Sequence, residues 1–467
     1  MPISAFLIPL LALASGLGWS QTPPVPESSS EEIQTHMKAA RAAEQNGDLQ
    51  TAIGEYRRLI RLLPDVAEIY NNLGIDYYQA HQPELALVSL QRAQKLNPNL
   101  TSPVLFSGLA LYQLGRYREA SRVLEESCKL TPRDVLTRMW LVYTLIALGD
   151  YANALPQVNV ALRMDPNNLD LLYVLYRVHL ELGQKDTQKL TTKFSESPRV
   201  WQLAADQWNL AGDKERAASL NKEAQARLPD LEERRNTPDD ELFWSAEEHE
   251  KAARDAAEKL AQMAPQSARS FQIQAEMLTE QLRFEDAVEN YQKALELKAD
   301  VPELRVSLGD ILLRLNRPAE ALQQYDLELE QWPNEWVVYF HKGLAYMQLN
   351  EEDQALRSFM YARRSEVAIP ELHQQLGRLF LRMHKFGQAI AELTLFLGTR
   401  PFDPVGHYLL MLAYRNTGSR QLMLEQQDLF EKYSSDRKKR TVAQKELEQF
   451  QARREVGEVG LDTKEEK

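Results

Sequence analysis

The chain has 467 residues, 44% hydrophobic and 26% charged, enough apolar matter for a buried core and enough charge for a solvated surface. Its formal charge of −12 excludes a global electrostatic pull towards nucleic acid. Cys128 is its only cysteine, which excludes an intrachain disulfide and any cysteine-based zinc cluster.

The first segment to place is Ala5–Leu17, AFLIPLLALASGL. It has the length of a signal-peptide core and is too short for a membrane span. Small residues at Gly18 and Ser20 predict cleavage after Ser20, and hence an exported protein, periplasmic or extracellular. Left uncleaved, the segment would tether the chain to a membrane. No lysine or arginine precedes Lys38, which departs from the usual positive start of such segments. Residues 21–32, QTPPVPESSSEE, carry almost nothing to bury and read as a disordered spacer.

A 34-residue ruler begins near Ile33. Prolines fall at Pro64, Pro98, Pro132 and Pro166, and alanines at Ala52, Ala86, Ala120 and Ala154, each 34 apart. Residues 67–100 show the logic. Tyr70, Leu73, Gly74 and Tyr77 form one stripe of a first helix, and His81–Gln82–Pro83 breaks it. Leu85, Ala86, Leu90 and Ala93 then line a second helix, which Pro98 ends. Such a hairpin cannot bury its own apolar face and must stack on its neighbours.

These residues resemble the tetratricopeptide repeat, with Tyr70, Leu73, Gly74, Tyr77, Ala86, Ala93 and Pro98 at the family's signature positions. The resemblance implies an all-α, right-handed superhelical solenoid of stacked antiparallel hairpins, about twelve units in two regular runs. Units 101–134 and 135–168 continue it. After Asn168 the register falters. LDLLYVLYRVHLELGQ (169–184) reads as a first helix with a weak polar partner. A further unit holds Trp201, Trp208, Gly212 and Ala217, and a charged break covers 230–240. The N-terminal array is thus expected over 33–230, with its last two units irregular, and an irregular unit or joint over 231–267. A second array spans 268–437, where Ala287, Ala321, Ala355 and Ala389 restore the period and Gly309, Gly343 and Gly377 mark close helix packing. Residues 438–467 read as a charged capping helix and tail.

In this family the first helices line a groove, and the resemblance assigns its positions here. In the first run they include Asn71, Asn72, Tyr78, Phe106, Tyr112, Trp140, Tyr143, Tyr173 and Arg177, an aromatic lining expected to bind protein or peptide segments. An inner helix or a tight superhelix covering those rings would remove that surface. In the second run Arg378, Arg382 and Arg415 are candidates for an acidic or carboxylate-bearing segment. The lysine–asparagine set with which some relatives clamp a peptide carboxylate is not reproduced.

Nothing points to catalysis. The eight histidines lack metal-ligand spacing, and His373 and His407, though at one repeat position, sit too far apart in a stack to share a zinc. No cofactor is expected, nor a nucleic-acid partner, nor a membrane span in the mature chain. The expected function is a non-catalytic scaffold that binds protein segments. The alternative is an obligate accessory subunit packed against one permanent partner in an envelope or secretion assembly.

Overall fold

A computed structural model of the chain describes residues 27–210, 212–227, 237–299, 304–331, 335–364 and 369–439. The signal-like segment and the tail beyond Lys439 lie outside them. The described residues hold 22 helices and no strand. The chain divides into two compact units, Met1–Leu171 and Leu172–Lys467.

The first unit is a stack of four sequential hairpins. They are α1 (Glu27–Gln45) with α2 (Leu49–Leu62), α3 (Ala67–Gln79) with α4 (Pro83–Leu96), α5 (Ser102–Gln113) with α6 (Tyr117–Leu130), and α7 (Val135–Ala147) with α8 (Tyr151–Met164). Several starts are capped by aspartate. Asp134 accepts from the backbone N–H groups of Leu136 and Thr137, and Asp150 from that of Asn153. The turn inside each hairpin passes through a left-handed residue, Gly47, His81, Gly115 or Gly149, again 34 apart. Within the second and third hairpins the helices nearly touch. A Cβ added at Gly74 would sit 2.6 Å from Leu90 Cγ, and one at Gly108 would meet Leu124 at the same distance. Burying leucines such as Leu90 and Leu124 stabilises each layer by about 1.5–3 kcal/mol apiece.

α9 (Leu169–Lys193) is one helix of 25 residues, where a first helix and a short polar partner were expected. No turn forms there: Gly183, at the repeat's turn position, is helical, and a Cβ added to it would meet the Ala246 carbonyl oxygen at 3.4 Å. The second unit continues with α10 (Pro198–Leu210), α11 (Lys214–Arg227) and α12 (Pro238–Met263). Five regular hairpins follow: α13 (Ala268–Glu280) with α14 (Phe284–Leu297), α15 (Leu304–Arg314) with α16 (Pro318–Gln331), α17 (Trp336–Gln348) with α18 (Glu352–Ala362), α19 (Pro370–Arg382) with α20 (Phe386–Thr399), and α21 (Pro404–Asn416) with α22 (Arg420–Lys439).

The lost register has a structural explanation. α12 runs antiparallel to α9, with Ser245 Oγ 2.7 Å from Asp186 Oδ2 and His249 Nδ1 2.9 Å from His179 Nδ1. α9 also neighbours α13 in repeat register: Gln272 Nε2 donates to Tyr173 Oη at 2.6 Å, and that hydroxyl donates to Glu276 Oε1 at 2.8 Å. α9 and α12 are therefore the two arms of one repeat, and the α10–α11 hairpin is an insertion between them. The insertion has its own core of Trp201, Leu203, Trp208 and Leu220, closed by Leu190 from α9 and Phe243 from α12. Arg199 anchors it, fully buried, with Nε donating to Asp240 Oδ1 at 2.8 Å and its guanidinium over Phe243 and Trp244. The expected joint at 231–267 is, over its described part, the second arm of this split repeat. The described residues hold ten sequential hairpins and this one split repeat, against about twelve expected units.

One smaller expectation changes. Residues 27–32, assigned to the spacer, belong to α1. Pro156 is the sixth residue of α8, past the first turn, so it removes one ladder hydrogen bond at an exposed position.

Candidate functional site

The first helices carry the residues expected to bind a partner. In the first unit the rings are buried and do not form an open face. Trp140 is 2% exposed and Tyr78 1%, and Phe106, Tyr112 and Tyr143 are buried with them. The reason is packing across successive repeats. Between first helices Tyr78 meets Phe106 edge-on at 5.8 Å and Tyr112 meets Trp140 at 5.5 Å, while within α7 Trp140 meets Tyr143 at 5.9 Å. The expected exposed aromatic lining is thus corrected to an inter-repeat core.

Asn71 and Asn72 enter a polar chain. Asn71 Nδ2 donates to Asn72 Oδ1, Asn72 Nδ2 to Tyr56 Oη (both 3.2 Å), and the Tyr56 hydroxyl to Glu44 Oε1 at 2.7 Å. Asp76 lies beside this chain, 2% exposed. Burial, with the Glu44 charge adding to it, pushes the Asp76 carboxyl up to about 8. Glu44 and Tyr56 are not among the expected groove residues: both lie in the preceding repeat, Glu44 on its first helix and Tyr56 on its second.

In the second unit Tyr173 is buried, stacked under the Arg269 guanidinium at 4.2 Å and bonded to Gln272 and Glu276. Arg177 lies 3.6 Å from Glu181 and 3.8 Å from Glu276, neutralised within the fold. A second polar knot follows, where Tyr325 donates to Asp310 Oδ1 at 2.7 Å and His341 Nδ1 lies 2.7 Å from the same oxygen.

Arg382 departs from the expected free cation. Its Nη1 donates to the Met347 carbonyl at 3.0 Å, its Nη2 to Asn350 Oδ1 at 2.8 Å, and its Nε to Glu352 Oε1 at 3.3 Å. The guanidinium thus clamps α19 to the turn of the preceding hairpin. Gln348 reaches the Leu313 carbonyl across the same 35-residue step. Arg378 is half-buried and Arg415 exposed, and on the same face Phe340, Met347, Gln374 and Tyr408 are half-buried. Of the twelve expected site residues, the structure leaves Arg378 and Arg415 on an accessible first-helix face, and it builds the six aromatics into packing.

The histidines answer to the repeat as well. His373 and His407 each bond within their own hairpin, to Glu392 Oε2 and Gln426 Oε1, both at 2.7 Å. Cys128 is buried on α6, and burial pushes its thiol up to about 11.

Two profiles described as tetratricopeptide repeat match the chain, one over residues 107–168 and 277–335, the other over 67–100. The chain is a tetratricopeptide-repeat protein. Its architecture is the all-α superhelical repeat fold, and that class of fold is a protein-interaction scaffold. Among curated proteins, it is similar to anaphase-promoting complex subunit 3 of Schizosaccharomyces pombe, at 23% identity over 30% of this chain and 21% of that one. It is similar to human protein O-mannosyl-transferase TMTC3 at 26% identity, over 28% of this chain and 15% of that one. Protein FlbA of Caulobacter vibrioides matches at 26% identity, over 31% of this chain and 24% of that one. The matched stretch is thus a quarter or less of each curated relative. Among solved structures, yeast Tom70 aligns over 91% of this chain and 96% of its own at 12% identity, with a TM-score of 0.34. PilW, a widely conserved type IV pilus biogenesis factor, aligns over 44% and 94% at 18% identity, with a TM-score of 0.37.

Proposed function

We propose that this tetratricopeptide-repeat protein is a non-enzymatic scaffold that captures protein segments along the first-helix face of its second unit. One observation carries the reading. Phe340, Met347, Gln374, Arg378, Tyr408 and Arg415, from three successive first helices, are half-buried or exposed, whereas Tyr78, Phe106, Tyr112, Trp140, Tyr143 and Tyr173 are buried. Aromatic and thioether surface beside arginine suits a segment with apolar anchors and carboxylates. Repeat stacking supplies the length, since each added hairpin extends the same row.

Export is part of the proposal and rests on the apolar run Ala5–Leu17 and the small residues before Gln21. No described helix is long and apolar enough to cross a membrane. Intact mass measurement of the protein from its native source tests export: a chain starting at Gln21 supports it, and a chain retaining residues 1–20 in the cytosolic fraction contradicts it.

The test of the scaffold reading starts from the free protein. A monodisperse chain that binds short peptides, with binding weakened by Arg378→Glu and Arg415→Glu, supports it. A chain that stays insoluble until co-expressed with one partner supports the accessory-subunit alternative.

A further inference from the structure

The first unit carries a second surface, on its second helices. Between α2 and α4, floored by Leu73 and Tyr77 of α3, lies an open groove of about 270 Å³. Its far wall is apolar and unusually bare: Val88 is 67% exposed and Leu85 47%. Its near wall presents Arg57 and Arg61, one helical turn apart on α2 and both exposed.

The two arginines differ from their neighbours. Arg58, on the same helix, pairs with Glu55, and Arg92 pairs with Asp65 while lying over the Tyr70 ring. Arg57 and Arg61 make no ion pair among the described residues. In a chain of net charge −12, two adjacent cations without carboxylate partners beside two bare aliphatic side chains form a complementary surface.

We propose that this groove docks an acidic amphipathic helix of a protein partner. Two aliphatic side chains one turn apart would fill the cleft against Leu85, Val88 and Tyr77. Carboxylates on the flank of that helix would pair with Arg57 and Arg61, in the bidentate geometry that guanidinium favours. The cavity holds one or two side chains, which suits a peptide anchor more than a cofactor. The site belongs to the first unit and shares no residue with the first-helix row of the second.

The probe is a phage-displayed library of 16-residue helical peptides selected on the full chain, then counter-selected on Arg57→Glu/Arg61→Glu and on Leu85→Ser/Val88→Ser. All four side chains are exposed, and circular dichroism is used to check that both variants keep wild-type helicity. Peptides lost on both variants should carry two aliphatic residues at i, i+3 or i, i+4 flanked by Glu or Asp. As synthetic peptides they should bind wild type at least tenfold more tightly than either variant, and a Glu-to-Lys peptide should recover binding on the Arg57→Glu/Arg61→Glu chain. Recovery of the same peptide pool from wild type and both variants overturns the proposal, as does an absence of enriched sequences. Equal binding of wild type to vesicles with anionic headgroups, with no peptide selected, would assign the surface to a membrane instead and overturn it too.

Discussion

His373 Nδ1 lies 2.7 Å from Glu392 Oε2, joining the fourth residue of a first helix to the second helix of its own hairpin, 19 residues on. The same step joins His36 to Glu55, Arg138 to Gln157 and His407 to Gln426. Two of these side chains also reach back six residues, Arg138 to the Pro132 carbonyl and His407 to that of Pro401. A polar residue at this position therefore staples its hairpin, and in two cases ties it to the loop closing the preceding repeat.

Glu392 is the most exacting member, since it is buried and also accepts from Arg363 Nη1 at 2.8 Å. Glu392→Ala leaves two donors without their acceptor and should lower unfolding free energy by about 2–3 kcal/mol. Glu392→Gln keeps one acceptor oxygen and should lose less than half of that. Urea unfolding followed by circular dichroism reads both, and equal losses would mean the staple is not a hydrogen-bonded one.

The close packing at Gly343 gives a sharper steric expectation. A Cβ there would lie 2.3 Å from Phe359 Cε1, deep inside α17–α18. Gly343→Ala should destabilise by about 1–3 kcal/mol through overpacking. Combined with Phe359→Ala it should cost less than the two single changes added together, because the truncated ring leaves room for the methyl. Additive losses in the double-mutant cycle would show that the two residues do not share that space.

Trp140 tests whether the aromatic row is core or surface. Its burial against Tyr112 and Tyr143 predicts that Trp140→Ala lowers stability by about 3–5 kcal/mol. A melting temperature equal to that of the wild type, with weaker partner capture, would restore these rings to the binding face.

Asp76 sets a pH dependence in the first unit. Its carboxyl is raised to about 8 in the fold, from 3.8 when free, so the folded state holds a proton that the unfolded state has released. The fold therefore loses stability as pH rises from about 4 towards 8. Asp76→Asn removes this loss. The variant should unfold at higher urea than wild type at pH 8, with the difference shrinking steadily towards pH 5. A pH-independent difference between the two proteins contradicts the assignment.

The repeat's skeleton was legible because it lives in single residues at fixed steps. Ala86, Gly74 and Pro98 each do one local job, and the structure places all three accordingly. The split repeat was not legible, because a 34-residue ruler cannot see two arms of one hairpin separated by an inserted hairpin. α9 and α12 carry no marker that they pair, and the His179–His249 and Asp186–Ser245 contacts reveal it. Position on a helix face assigned Trp140 and Tyr143 to an open groove lining, and both are buried. It did not predict that rings from adjacent repeats would fill the same space. Arg382 departs from the expected free cation for a related reason: its carbonyl and amide partners sit one repeat back, at Met347 and Asn350. The polar staple was within reach, since His36, His373 and His407 each precede a glutamate or glutamine by 19 residues.

The most direct test of the scaffold reading is site-specific photo-crosslinking in the native cell. A benzophenone side chain is placed at Gln374 or Arg415 on the first-helix face, and at Leu395, which is 50% exposed on a second helix, as the control. The account predicts one or a few discrete protein adducts from Gln374 and Arg415 and none of them from Leu395. Adducts of equal yield from all three positions, or from Leu395 alone, would contradict it.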